Sequence, residues 1–214
     1  MIVPSIEVIL YDPAGRPIRR EGPRPCRSYV KNYYNHLLSA MSGCTGSSAF
    51  DLHTRRVTGA INSVTYPWYH SLEAVGAIGG YVAAAGDALG GIVVGSSNAA
   101  ENFGMGSTPA ARSYSMGAKI ASGDAAGQIN YSLMEAPVVE KTGSSPQIWS
   151  VIHQRYFNNA SGGDITVREI GLQQYAAGLE TMVIRDILLA DYTVAHAGQF
   201  LARFIFTLSI PSAI

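Results

Sequence analysis

The strongest indication of the fold comes from residues 199–210, which read QFLARFIFTLSI. Apolar residues occupy every second position, and this spacing places them on one face of a β-strand. That face comprises Phe200, Ala202, Phe204, Phe206, Leu208 and Ile210. The other face carries Leu201 and Ile205 beside Arg203, Thr207 and Ser209, so neither face is purely polar. We therefore predict a strand with one face in the core and the other against a partner.

Further stretches have the composition of strands and are separated by residues that favour turns. They are residues 5–11, 56–64, 91–95, 127–134, 147–157, 164–172 and 181–189. Short strands at this spacing are typical of β-sandwiches and jelly rolls. We predict a mainly β fold, an antiparallel β-sandwich or a jelly-roll-like arrangement. Residues 65–126 are rich in alanine, glycine and serine, and we expect long Gly/Ala-rich loops there.

Residues 28–42 have the pattern of an amphipathic helix rather than a strand. Ser28 suits the N-cap position, and Gly43 suits the left-handed residue that follows a helix. The apolar positions recur at helical spacing. They are Val30, Tyr33, Tyr34, Leu37, Leu38 and Met41. We predict one N-terminal helix that lies on an apolar surface of its own domain or of a neighbour.

The domain organisation follows from these elements. Residues 1–27 are predicted to form an N-terminal strand and an arm, and residues 28–214 a β-sandwich domain that includes the helix. The arm, residues 16–27, is rich in proline and arginine. We expect it to be a loop that lies along another surface, because proline disfavours regular strands.

The composition indicates a surface that partners cover. Only 14% of the 214 residues are charged, whereas 47% are hydrophobic and 23 are glycine. A free monomer with so few charges would be poorly soluble. The alternative interpretation is a compact, glycine-rich enzyme. With 15 basic and 15 acidic residues, the chain has no net charge that would attract nucleic acid or a membrane surface, and we expect neither as a partner.

Cys26 and Cys44 stand at opposite ends of the predicted helix. A helix of that length separates its ends by about 20 Å, and a disulfide needs Cα atoms within about 7 Å. We expect both thiols to be unbridged. The sequence MIVPSIEVIL lacks the features of a secretory signal, and residues 74–95 hold too many glycines for a transmembrane helix. These features favour synthesis in a cytoplasm.

The sequence offers no recognisable catalytic or metal-binding motif. None of the histidines has another ligand at a metal-binding spacing. They are His36, His53, His70, His153 and His196. His153 lies in an apolar stretch, where we expect a hydrogen-bonded histidine of the core or of an interface. A GxSxG elbow and a phosphate-binding loop are also missing from the sequence. We expect no enzyme activity, no catalytic residues, no metal and no cofactor.

Four carboxylates in the last third of the chain are the candidates for a glycosidase pair. They are Asp164, Glu169, Asp186 and Asp191. Each of Glu169 and Asp186 follows an arginine, but neighbours in a strand point to opposite faces. Pairing across strands is more natural, for example between Glu169 and Arg185. We interpret these carboxylates as charges that fix strand register and interfaces.

Two groups of side chains are the predicted interface residues. Tyr66, Trp68 and Tyr69 form a compact aromatic cluster that can anchor a protein interface or stack on a sugar. The arm supplies arginines that can pair with carboxylates across a contact. They are Arg16, Arg19, Arg20 and Arg24, with Arg27 at its end.

Several motifs together resemble a class of small virion proteins of tailed phages and prophages. SYVKNYYNHLLSAM at 28–41 is similar to its FVKNF-like helix, and GIVVGSSNAAENF at 91–103 follows in the same order. The more specific motif is YFNNASGGDITVREIGL at 156–172, which resembles the family's NNSG–ITV–EIGL pattern. Residues 183–210 resemble its C-terminal ending. The loop before residue 91 is longer here, and His196 replaces the usual proline or asparagine.

The resemblance implies a β-sandwich without catalytic residues, of the tail or collar accessory, adaptor or fibre-base type. We expect a structural protein of the virion, assembled in the host cytoplasm. Its expected partners are copies of itself, with a trimer favoured, and other virion proteins of the connector, tail or capsid. A capsid decoration protein is the first alternative. A carbohydrate-binding or depolymerising tail protein that uses Trp68 and Tyr69 is the second.

Overall fold

The structure is a computed structural model that describes residues 2–26, 54–55, 58, 61–62, 81–99, 115–134, 137–143, 146–176 and 179–210. These residues are mainly β and contain two antiparallel sheets, a short two-stranded ribbon and no helix. The strands are β1 (Ile2–Tyr11), β2 (Pro17–Pro25), β3 (Thr54–Arg55), β4 (Ile61–Asn62), β5 (Gly91–Gly95), β6 (Asn130–Tyr131), β7 (Val138–Thr142), β8 (Gln147–Asn158), β9 (Ile165–Ala176), β10 (Leu179–Val194) and β11 (Gln199–Ile210).

The larger sheet has six strands in the order β2-β1-β11-β8-β6, with β7 also paired to β8. Strand β11 lies at its centre and pairs with β1 on one side and β8 on the other. Phe204 stands opposite Ile6 and His153 in this register. The predicted strand at 199–210 is therefore confirmed.

The smaller sheet has the order β10-β9-β5. Its longest strand, β10, pairs with β9 along most of its length but contains a large bulge. Ile187 pairs with Glu169, and the next paired residue, Tyr192, stands opposite Val167. Residues 188–191 consequently oppose Arg168 alone, and a bulge of this size bends the strand away from its partner.

The two sheets contribute to one hydrophobic core. Fully buried side chains from β1, β11 and β8 belong to the same cluster as those from β5, β9 and β10. The bulkiest of its apolar members are Tyr131, Tyr192, Phe157, Phe200 and Phe204. The predicted core face of β11 is confirmed at Phe200, Ala202 and Phe204. On the opposite face Leu201 is also buried, whereas Arg203 and Ile205 are partly exposed.

The predicted strands at 5–11, 91–95, 147–157 and 181–189 fall within observed strands, and the one at 164–172 does so except for Asp164, which precedes β9. The prediction at 127–134 is reduced to the two residues of β6, and β7 was not predicted. Most of 56–64, half of the loop region 65–126 and the whole helix 28–42 lie outside the described residues.

The prediction of a loop at 16–27 is wrong for most of that stretch, because Pro17–Pro25 forms β2. Pro17 and Pro25 stand at the ends of this edge strand, where a missing N–H costs little. A register shift leaves Gly22 and Pro23 without paired partners. Gly22 has a φ of 91°, and a Cβ there would lie 2.3 Å from the Ile6 carbonyl oxygen, so this position requires glycine.

Strands β1 and β2 thus belong to the same sheet as β8 and β11. The described part of residues 1–27 is a hairpin of this sheet and not a separate arm.

Candidate interaction surface

The arginine of β2 closest to the core, Arg24, ties the hairpin to the smaller sheet. Its guanidinium donates to Glu21 at 2.7 Å and to Asp186 of β10 at 3.0 Å. It also donates to the Ile187 carbonyl at 2.9 Å. Asp186 is completely buried, so this interaction lies inside the molecule. A predicted interface arginine therefore connects the two sheets.

Glu21 lies at the centre of the same contact. Besides Arg24, it accepts hydrogen bonds from the Leu189 backbone N–H and from the Tyr192 hydroxyl, the latter at 3.2 Å. Burial and the nearby Glu21 carboxylate raise the pKa of Tyr192 to about 12. The Glu21 carboxylate of β2 thus accepts a hydrogen bond from a backbone N–H in the bulge of β10.

The other predicted arginines are also engaged within the chain. Arg19 donates to the Asp191 carbonyl at 2.9 Å and lies 4.5 Å from the centre of the Tyr192 ring. Arg20 pairs with Glu7. Arg16 pairs with Asp12 at the β1–β2 turn and is the most exposed of the four. Their binding to a partner stays a prediction, as do the roles of Tyr66, Trp68 and Tyr69, which lie outside the described residues.

The predicted pair between Glu169 and Arg185 is confirmed. Arg185 Nε lies 2.7 Å from Glu169 Oε2, and both side chains are buried. Glu169 also accepts hydrogen bonds from the backbone N–H groups of Gly117 and Ala118. A Cβ at Gly95 would lie 2.4 Å from Glu169 Oε1, so the glycine leaves the space that this carboxylate occupies.

Asp191 and Asp164 differ from the buried carboxylates. Asp191 forms a bidentate pair with Arg168, at 3.0 and 2.9 Å, on the surface of the same two strands. Asp164 is exposed in the loop between β8 and β9. The candidate carboxylates are therefore divided between a buried pair, an inter-sheet contact and the surface.

Sequence reasoning missed the most enclosed polar side chain, Arg155 of β8. It is fully buried and donates only to backbone carbonyls. The acceptors are those of Ser132, Gly90, Ile92, Ala84 and Asp87, at 2.7 to 3.2 Å. Because a guanidinium has five N–H donors, all of them are satisfied. Burial lowers the pKa of Arg155 to about 10.

Arg155 therefore fastens the loop at 84–90, the beginning of β5 and the segment after β6 to the larger sheet. Its position in an apolar row of β8 is a feature of the sequence that indicates burial of the side chain. The next inward-facing residues of that row are His153 and Phe157, and both are buried.

His153 lies in the core, which is one of the two predicted locations, the other being an interface. Its ring makes edge contacts with Tyr81 and Phe206, whose ring centres lie 5.8 and 5.7 Å away. The expected hydrogen bond is not found at Nδ1, which has no partner among the described residues. Burial lowers the pKa of His153 to about 4, so the neutral ring is the form that fits the core.

This lowered pKa predicts a loss of stability in acid. Below its ordinary pKa of 6.5 the unfolded chain binds a proton at His153, whereas the folded chain does so only near pH 4. Stability should therefore fall as the pH drops through this window, by about 3 kcal/mol in all, and level off below it.

The measurement is denaturant unfolding of the wild type and of His153→Phe between pH 7 and pH 4, at intervals of about one pH unit. The difference between the two proteins should grow steadily on the acid side. His196→Gln, which changes an exposed histidine, should follow the wild type. A constant difference between wild type and His153→Phe would contradict the prediction.

One end of the larger sheet is apolar and open. Along the core face of β11, Phe204 is fully buried, Phe206 is partly buried and Leu208 is 37% exposed. The neighbouring strand β7 is exposed along its whole length, with Val139 at 55% and Val138 at 45%. We call β7 with residues 148–152 and 205–208 the open end of the sheet.

Both faces of the open end carry apolar side chains. Register places Val139, Lys141, Trp149, Val151, Phe206 and Leu208 on the face that continues the core row. It places Val138, Glu140, Ile148, Ile152 and Ile205 on the reverse face. An apolar surface of this kind marks an interaction site more often than ordinary surface does.

Cys26 lies partly buried against the core beside β1, and its backbone N–H donates to the Pro4 carbonyl at 2.9 Å. Cys44 lies outside the described residues, as do His36, His53 and His70, so the prediction of unbridged thiols stays a prediction. Among the residues that the structure describes, no group of three or more histidine, cysteine or acidic side chains could hold a metal ion. The same residues include no helix with the length and hydropathy to span a membrane.

Comparisons of the chain with models of protein families, with curated proteins and with solved structures found no match.

Proposed function

We propose that this chain is a non-enzymatic structural component of a tailed-phage particle, a tail, collar or fibre-base protein. In this proposal the two sheets form a β-sandwich, and the helix 28–42 and the Gly/Ala-rich loops complete the domain. The protein works as a closed oligomer, preferably a trimer, and binds other proteins of the virion.

The observation that carries the proposal is the open end of the larger sheet. It exposes apolar side chains on two faces, whereas the arginines of β2 are engaged in contacts within the chain. A protein whose charges hold its own strands together and whose apolar surface is free is suited to permanent association, since obligate interfaces are more apolar than ordinary surface.

The placement of the family-like motifs also supports the proposal. The NNASGG segment at 158–163 connects β8 to β9, and Asn159 organises it. The Asn159 side chain donates to the carbonyls of Gly163 and Val194 at 2.7 Å and accepts from the Ser161 N–H. The EIGL segment contains the buried Glu169. These motifs build turns and the core, which agrees with a family that shares a fold and no catalytic residue.

The direct test is to look for the chain in purified particles. An antibody against the recombinant protein should detect it in phage particles isolated from producing cells, at a constant ratio to the major capsid protein. Immunogold labelling at the tail, collar or baseplate is the expected position, and labelling over the whole head would favour the capsid decoration alternative.

A second assay tests the alternative of a carbohydrate-binding or depolymerising tail protein. The recombinant protein, and the Trp68→Ala variant beside it, are applied to a glycan array and to host capsular polysaccharide. We expect neither binding nor turnover. A protein that is missing from particles, or that degrades polysaccharide in a Trp68-dependent way, would overturn the proposed function.

A further inference from the structure

The two faces of the open end differ in charge. Lys141 lies on the face that continues the core row, and its ammonium stands 5.3 Å from the centre of the Trp149 ring. Glu140, the adjacent residue, lies on the reverse face opposite Ser150. Within the open end each face therefore carries one charge, positive on one and negative on the other. The reverse face also carries the hydroxyls of Ser150 and Thr207 beside its apolar side chains.

The outer edge of β7 has no strand partner among the described residues, and it is poorly suited to pairing with another strand. Pro137 precedes the strand and lacks an N–H, the strand has only five residues, and Glu140 and Lys141 occupy its middle. Proline, charge and short length are the features by which proteins prevent strand addition at a sheet edge. Of the other edge strands of this sheet, β2 contains prolines as well and β6 has only two residues. A contact at the open end must therefore use the faces.

We propose that the open end binds a second copy of the chain, face against reverse face. Trp149, Val139 and Leu208 of one copy pack against Val138, Ile148 and Ile152 of the next, and Lys141 meets Glu140 at the rim. This inference rests on the proposed function only for the self-association of the chain, and it specifies the surface through which the copies bind one another.

Charge decides between this arrangement and a symmetric dimer. If two identical faces met, the contact would contain two lysines or two glutamates and no opposite charge, and an interface with charges of one sign is unfavourable. Contact between the two different faces brings opposite charges together. Such a contact is head-to-tail, so it ends in a ring when the rotation between copies closes, for example as a trimer.

The test is a charge-swap series measured by sedimentation velocity over a range of micromolar concentrations. Glu140→Lys and Lys141→Glu should each weaken association by at least about tenfold, because each creates a like-charge contact. The double variant Glu140→Lys/Lys141→Glu restores opposite charges and should associate within about threefold of the wild type. Asp164→Lys makes the same charge change as Glu140→Lys at the other end of β8 and should behave as the wild type.

The variants change exposed positions, so their thermal unfolding should match that of the wild type, and this is measured in parallel. Association that is lost in Lys141→Glu but unchanged in Glu140→Lys would indicate contact between identical faces and overturn the inference. A wild type that is monomeric, or that grows into open polymers, would overturn it too. Neither result bears on the presence of the chain in particles, so the failure of this inference is distinguishable from failure of the proposed function.

Discussion

Replacing Arg155 by methionine should lower the free energy of unfolding by about 4 kcal/mol or more, one of the largest effects of a single change in this chain. Methionine fills much of the volume but donates no hydrogen bond. The part-buried carbonyls of Ser132, Ala84 and Asp87 would lose a donor, although the Ala84 oxygen keeps the Asp87 N–H. The carbonyls of Gly90 and Ile92 lie in buried contacts and would be left without the hydrogen bond that Arg155 donates. Because each such group costs about 1–3 kcal/mol, the loss exceeds the gain from removing a buried charge.

Two further variants test the physical cause. Arg155→Lys retains the positive charge but has a compact ammonium with three donors, so it should recover only part of the loss. Arg155→Ala leaves a cavity lined by carbonyl oxygens, and guanidinium at millimolar concentration should raise its melting temperature, whereas sodium and urea should not.

The control for this series is Arg16→Met, because Arg16 is exposed at the β1–β2 turn and pairs only with Asp12 among the contacts described for its side chain. It should change stability by no more than about 0.5 kcal/mol. If Arg155→Met unfolds at the same denaturant concentration as the wild type, the carbonyls are satisfied in another way and the proposed role of Arg155 is wrong.

Breaking the buried pair of Glu169 and Arg185 should destabilise the fold by about 3–5 kcal/mol from either side. Glu169→Leu removes the carboxylate that accepts from Arg185 Nε and from the Gly117 and Ala118 N–H groups. Arg185→Leu leaves the Glu169 carboxylate buried with the two N–H donors alone. The double variant removes both charges and should be more stable than the sum of the single losses predicts.

The matched control is the pair of Arg168 and Asp191, which joins the same two strands at the surface. Asp191→Leu should lower the urea midpoint far less than Glu169→Leu does, since exposed ion pairs contribute little. Urea unfolding of the two pairs side by side gives the comparison. Equal losses from Glu169→Leu and Asp191→Leu would show that burial does not determine the strength of this pair.

The sequence was sufficient for the central strands because their side chains alternate. In β11, the apolar positions predicted the core face at Phe200 and Phe204, and the same alternation excluded pairing between adjacent residues and led to the pair of Glu169 and Arg185. These predictions depend on the alternation of side chains along a strand, which follows directly from the order of the residues.

The features that sequence reasoning missed depend on contacts between distant segments. Strand β2 forms in spite of its prolines because β1 supplies the hydrogen-bond partners and Arg24 reaches β10. Strand β7 is too short and too polar to be recognised alone. The acceptors of Arg155 come from the loop at 84–90, from β5 and from the segment after β6, and no pattern within β8 indicates which carbonyls will surround it.

The pairing of β1 with β11 has a consequence for how the chain folds. Val8 stands opposite Ala202 at the centre of the larger sheet. The centre of this sheet therefore cannot form until β11 is available to pair with β1. During synthesis the β1–β2 hairpin must stay without this neighbour until residues 199–210 have left the ribosome. Folding of this sheet should therefore be slow, because contacts so far apart in sequence close large loops. Nascent chains that stop before residue 199 should be held by chaperones or degraded.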